Sequence, residues 1–213
     1  MNEVTQFSGD SANLVLYWVM NTFGQRFKQL LWIDTLGTFN PTMLSQEVLQ
    51  KTNLMRCFDA HGVEESLTEV ENILEEHKNG SDFSCALIID SFSIPLGLLM
   101  SRGLVTQTHA LMMHLGRKMR MLTRTYPVAV FLSTAKVYIP ALNQHKPALG
   151  ASWTYCLDNS FMLDEQPAHS RCTLVCLHSR RRLSGTKQLL LWMKGTFRHE
   201  QLAIDFFESK PMK

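Results

Sequence analysis

The stretch Leu31-Trp32-Ile33-Asp34-Thr35-Leu36-Gly37-Thr38-Phe39-Asn40-Pro41 decides how this chain is read. An apolar run closes on Asp34, and a polar turn containing Gly37 follows. Cys85-Ala86-Leu87-Ile88-Ile89-Asp90 ends in the same way, and Val128-Ala129-Val130-Phe131-Leu132-Ser133-Thr134 is a third apolar run. Runs of this kind suit strands buried on both faces of a parallel sheet. Any one of them is common, so the weight lies in their order and spacing. Between them the periodicity turns helical. The pattern predicts strands at 3–9, 29–34, 54–58, 84–90 and 127–134, with helices at 11–23, 41–51, 63–78 and 105–125. Strand-rich segments follow near 153–163, 171–177 and 187–194. Alternation of this sort defines an α/β domain.

With 213 residues, 45% apolar and 19% charged, the chain is one globular domain spanning 1–213. No run of eighteen uncharged apolar residues occurs, and no charged-then-apolar export signal opens the sequence. The five cysteines, at 57, 85, 156, 172 and 176, are odd in number and sit in apolar surroundings, as buried free thiols do. Cys172, Cys176 and His178 share spacing with metal ligands, but a lone triad reads as core, and no metal is expected. The net charge of +2 hides an asymmetry. Residues 1–79 hold five Lys/Arg against eleven Asp/Glu, whereas 80–163 hold seven against three and 164–213 nine against five. The acidic excess falls on Glu64, Glu65, Glu69, Glu71, Glu75 and Glu76, the wet face of a helix whose inner face is Leu67, Val70, Ile73 and Leu74.

Asp34-Thr35-Leu36-Gly37-Thr38-Phe39-Asn40-Pro41 resembles the Asp-Thr-Glu-Gly-Thr-Phe, basic residue and Pro of eukaryotic RecA-type recombinases. Seven positions (Ile33, Asp34, Thr35, Gly37, Thr38, Phe39, Pro41) read the same. Lys146-Pro147-Ala148-Leu149-Gly150-Ala151-Ser152-Trp153 is similar to the segment after the second DNA-binding loop of recombinase paralogues. Met55-Arg56-Cys57-Phe58-Asp59, Ala110-Leu111-Met112-Met113 and Cys176-Leu177-His178-Ser179-Arg180-Arg181-Arg182-Leu183-Ser184-Gly185 go with it. Taken together they resemble the D-type recombinase paralogue, a Shu-complex-like subunit, over roughly residues 3 to 195. The resemblance implies a RecA-like P-loop core with a mostly parallel sheet and an antiparallel C-terminal edge. Paralogues of this type carry a small helical domain before the first core strand. Here that strand begins at residue 3, so the domain is expected to be missing.

Set beside that family, the catalytic residues are gone. A working P-loop needs Gly-x-x-x-x-Gly-Lys-Ser/Thr to cradle phosphate and hold magnesium. Here Gly9 remains, Asp10 puts an anion where phosphate would sit, and no Gly-Lys pair follows before the helix. Asp10 and Ser11 read more simply as a helix N-cap. The family's glutamate, which orients the attacking water, falls on Leu36, which has no lone pair to do so. Asp90 stands at the Walker B position as a strand-end relic. Gly9, Ser11, Leu36 and Asp90 are therefore a vestigial nucleotide site, and neither catalysis nor a cofactor is expected.

The resemblance implies a non-catalytic subunit of a hetero-oligomer that promotes homologous recombination by assisting recombinase filaments on single-stranded DNA. Its implied partners are other recombinase paralogues, a SWIM-type zinc-binding subunit, the main recombinase and single-stranded DNA, and its implied location is the nucleus. The alternative is a DNA-dependent ATPase subunit using a composite site shared with a partner. Two places are candidates for DNA contact. The loop 135–152, read as mobile, supplies Lys136, His145 and Lys146, with Tyr138 able to stack on a base. Arg180, Arg181 and Arg182, with Lys187, form the densest cationic cluster, although such a run is by default a solvated turn. Arg102 ranks lower. Arg117, Lys118, Arg120 and Arg124 read as the wet face of a helix buried through Leu111, Leu115, Met119 and Leu122.

Overall fold

The computed structural model describes residues 2–78, 83–166, 171–179, 187–193 and 196–198. Its main sheet contains β1 (Val4–Ser8), β2 (Gln29–Asp34), β3 (Thr52–Arg56), β4 (Cys85–Ile89) and β5 (Val128–Thr134) as parallel neighbours. β8 (Asn159–Gln166) continues parallel to β1. β9 (Arg171–Ser179), β10 (Lys187–Met193) and β11 (Thr196–Arg198) then turn back antiparallel. The strand order is β11-β10-β9-β8-β1-β5-β4-β2-β3. The sheet is thus mostly parallel with an antiparallel edge, as expected. A separate antiparallel hairpin, β6 (Lys136–Ile139) and β7 (Gln144–Pro147), follows β5.

β1, β4 and β5 are buried along their whole length, and β2 from Leu30 onward, because helices cover both faces. On one face, α1 (Ala12–Phe23) lays Val15, Leu16, Val19 and Met20 over Phe7, Trp32, Ile88 and Phe131. On the other, α3 (Ala60–Glu76), α4 (Ser93–Ser101) and α5 (Val105–Thr125) pack against Leu31, Ile33, Leu87, Ile89 and Val130. Gly116 of α5 is required by closeness: a Cβ there would lie 2.5 Å from Cys156 Sγ and 2.7 Å from the Trp153 ring.

Several boundaries differ from the sequence expectation, each for a local reason. α3 starts three residues early because Asp59 accepts the Gly62 N–H at 2.7 Å and caps it. The expected helix 41–51 is a single 3-10 turn at Pro41–Met43 and the short α2 (Gln46–Gln50), capped by Ser45. That shift moves β3 to Thr52–Arg56. α4 was not anticipated, since its apolar residues lack a clear helical stripe. The loop 135–152 is not irregular: the hairpin and the short α6 (Gly150–Trp153) occupy most of it, with Asn143 turning the hairpin at φ 47. Because helical turns run to Cys156, the next strand begins at Asn159 instead of 153. At its far end β8 runs on to Gln166, past the expected limit of 163.

Candidate functional site

The parallel strands end together, and their C-terminal ends bring Gly9, Leu36 and Ser91 around a cleft of about 330 Å³. In a sheet of this type that edge is where ligands sit. Asp34 explains how its turn keeps its shape with Leu36 at the glutamate position. Its carboxylate is fully buried and accepts N–H groups from Leu36 at 3.3 Å, Thr38 at 3.0 Å and Phe39 at 3.2 Å. Arg56 Nε lies 3.5 Å away. Asp34 thus organises the turn, a task that does not depend on a glutamate at position 36. Leu36 itself is 43% exposed and lines the cleft.

Asp90 is buried at the end of β4, accepting the Thr35 N–H at 2.9 Å, while Thr35 Oγ1 donates to the Asp90 carbonyl at 2.8 Å. Burial pushes its pKa up to about 6, against the pull of the Thr35 N–H; the neighbouring Asp34 pushes the same way. The Trp32 indole N–H is near enough to favour the charged carboxylate, yet it is buried with no hydrogen bond among the described residues. Tyr17 OH closes the group by accepting the Asn40 N–H at 2.8 Å.

The phosphate end is closed from within. Glu165 Oε1 accepts the Ser11 N–H at 2.8 Å, one of the donors a P-loop turn would offer to phosphate. Lys136 Nζ lies 2.9 Å from Asp10 Oδ2 and 3.7 Å from Glu165 Oε2. Gly9 adopts φ +152, and a Cβ there would come within 2.8 Å of Leu163 Cβ, so β8 packs directly on the turn. Among the described residues no Lys or Arg lines the cleft, and the Asp10 carboxylate stands at its Gly9 end. These residues do not fit a nucleoside triphosphate with magnesium.

The four residues expected to form a vestigial nucleotide site gather at one edge, Gly9 and Leu36 on the cleft and Ser11 and Asp90 behind it. The DNA candidates separate. Lys136 is turned inward with its side chain 16% exposed, committed to Asp10 and Glu165, so its charge is not offered to a phosphate backbone. Tyr138 and Lys146 are exposed on the hairpin, Tyr138 beside His145 with ring centroids 5.3 Å apart. Lys187 opens β10 opposite Val175. Arg180, Arg181 and Arg182 lie outside the described residues. Arg102 is exposed at the end of α4. Lys118 is tied to Thr68 and Glu71, and Arg120 to the Tyr155 carbonyl. Cys172 and Cys176 are buried in β9, and burial pushes the Cys172 thiol up to about 12. Asp10 and Glu165 as partners of Lys136 were not legible beforehand, because 155 residues separate the two acids and no local pattern links them.

This is a RecA-type core in which Glu165 of β8 accepts an N–H of the turn after β1. No family model matches the chain. The DNA repair protein rdl1 of Schizosaccharomyces pombe is 51% identical over 212 residues, covering 100% of this chain and 90% of that protein. The DNA repair protein RAD51 homolog 4 of Bos taurus is 27% identical over 139 residues, 63% of this chain and 42% of that longer protein. The crystal structure of the RadB recombinase superposes with a TM-score of 0.74 at 15% identity, covering 94% of this chain and 91% of that one, and shows the shared fold. The chain belongs to the recombinase-paralogue family that includes rdl1.

Proposed function

We propose that this protein is a non-catalytic recombinase paralogue that acts in homologous-recombination DNA repair as a subunit of a nuclear hetero-oligomer. Its relatives are named DNA repair proteins and RAD51 homologues, which supports the repair role. The observation that carries the non-catalytic reading is Glu165 on the Ser11 N–H with Lys136 bridging to Asp10. A turn satisfied in this way has no need of nucleotide for its charge balance, and Leu36 supplies no base for hydrolysis. The protein's contribution is then structural: it offers RecA-type surfaces to other recombinase paralogues and a SWIM-type subunit, and the assembly favours recombinase filaments on single-stranded DNA. Tyr138 and Lys146 on the hairpin, together with Arg180, Arg181, Arg182 and Lys187, are its candidate contacts to that strand.

Affinity purification from its own cells, followed by filament-assembly assays with the recovered complex, tests this reading. Recovery of other recombinase paralogues and faster recombinase loading on single-stranded DNA is the expected result. A solitary chain with no effect on loading refutes it.

A further inference from the structure

The cleft at the C-terminal ends of the parallel strands does not suit nucleotide, yet it stays open at about 330 Å³. Its walls and its polar end differ in character. Ala12, Leu36 and Ile94 supply apolar surface, whereas Asp10 and Asn13 supply polar groups beside Gly9. The Asp10 side chain is 70% exposed and so remains within reach of a partner. Charge there does not balance, because Asp10 and Glu165 share the single ammonium of Lys136. The Gly9 end also belongs to the first 79 residues, which hold eleven Asp/Glu against five Lys/Arg. Beside the cleft the apolar surface continues. Leu98 lies one turn beyond Ile94 on α4, and a Cβ on Gly37, next to Leu36, would stand 3.4 Å from the Phe58 ring. Leu36, Phe58, Ile94 and Leu98 are all exposed, and grouped apolar side chains of this kind mark protein contacts.

We propose that this cleft receives a lysine or arginine side chain of a partner recombinase paralogue, its stem between Leu36 and Ile94 and its charged head at Asp10. Long basic side chains lay their methylenes along apolar surface while the head keeps a polar partner, which fits the walls and the polar end together. An apolar side chain would desolvate the Asp10 carboxylate without compensating it, and an acidic one would add repulsion. A free small cation would leave Phe58 and Leu98 uncovered. The inference rests on the reading of this protein as a subunit of a hetero-oligomer. It adds which surface joins the partner and what charge the partner brings to it.

The test measures, after nuclease treatment, the affinity of the full chain for the recombinase paralogue that co-purifies with it. Asn13→Lys and Leu36→Lys each place a cation in the cleft without touching the Lys136 pair. Each should weaken binding by roughly tenfold or more, since like charges brought together at an interface are strongly disfavoured. Asn13→Asp should bind at least as well as the wild type, and melting temperatures should hold. Two positions are used so that misfolding of one variant leaves the other to decide. A photo-reactive benzoylphenylalanine in place of Leu98 should link to a partner segment carrying Lys or Arg. Changing that basic residue to Glu should weaken binding to the wild type and restore it to Asn13→Lys. Recovery of no paralogue overturns both readings. A paralogue that binds every variant like the wild type overturns the cleft and leaves the subunit reading standing. Tighter binding by Asn13→Lys marks an acidic occupant, and a cross-link to a second copy of this chain marks self-association; either result overturns the proposal.

Discussion

Lys136 Nζ stands 2.9 Å from Asp10 Oδ2, joining the first residue of the β6–β7 hairpin to the turn after β1. Burial pulls the ammonium toward its neutral form, but the Asp10 and Glu165 carboxylates outweigh it and leave the pKa raised. The pair adds a side-chain tie beside the Gly9 N–H, which donates to the Thr134 carbonyl at 3.1 Å. Lys136→Met should destabilise the protein by about 1–2 kcal/mol, between the limits for exposed and buried pairs. It should also raise deuterium uptake across residues 136–147, and Lys136→Arg should recover most of the protection. Unchanged uptake in the Met variant would show that the hairpin holds itself.

The isolated chain should neither bind nor hydrolyse ATP. Equilibrium binding with a labelled ATP analogue and magnesium checks the first part. Leu36→Glu alone should not confer turnover, because it restores neither a P-loop lysine nor an open cradle. Micromolar affinity, or turnover abolished by Asp90→Ala, counts against the internal closure.

Asp90 makes a pH-dependent prediction. Its folded pKa of about 6 exceeds the ordinary 3.8. Between those values the unfolded carboxyl ionises first, so the folded state loses stability as pH rises through the window and carries the full cost above it. Asp90→Asn keeps an oxygen for the Thr35 N–H while removing the charge. It should stabilise the protein near neutral pH by up to about 3 kcal/mol, and the gain should vanish near pH 4. Thermal melts of both proteins across this range decide it, and a constant difference at every pH contradicts the assignment.

Arg180, Arg181 and Arg182 carry a prediction from sequence alone. If they meet phosphates, changing all three to Ala should weaken binding to single strands of every sequence about equally. Each lost contact should flatten the log–log salt dependence by roughly 0.7. Melting temperature should hold, since such surface changes cost within about 0.5 kcal/mol each. Unaltered affinity and slope reassign the arginines to a partner's acidic surface.

The central strands and the long helices were legible because their signal is local: apolar runs closing on Asp34 and Asp90, and the stripe Leu67, Val70 and Leu74 under α3. The hairpin was not, since Lys136–Ile139 and Gln144–Pro147 are four residues each and show the weak alternation of exposed strands. α4 escaped for the opposite reason, being apolar nearly all round.

Sequence by itself determined that this is a RecA-type core without a P-loop lysine or a catalytic glutamate, because both are questions of which residue stands at one position. Only the tertiary structure decided what replaced them. Whether Lys136 faces DNA or its own chain depends on where Asp10 and Glu165 come to rest, 126 residues before it and 29 after it along the chain. Charges that far apart in sequence interact only once β1 and β8 lie side by side, and at 2.9 Å in a half-buried setting their attraction outweighs the ammonium's preference for water.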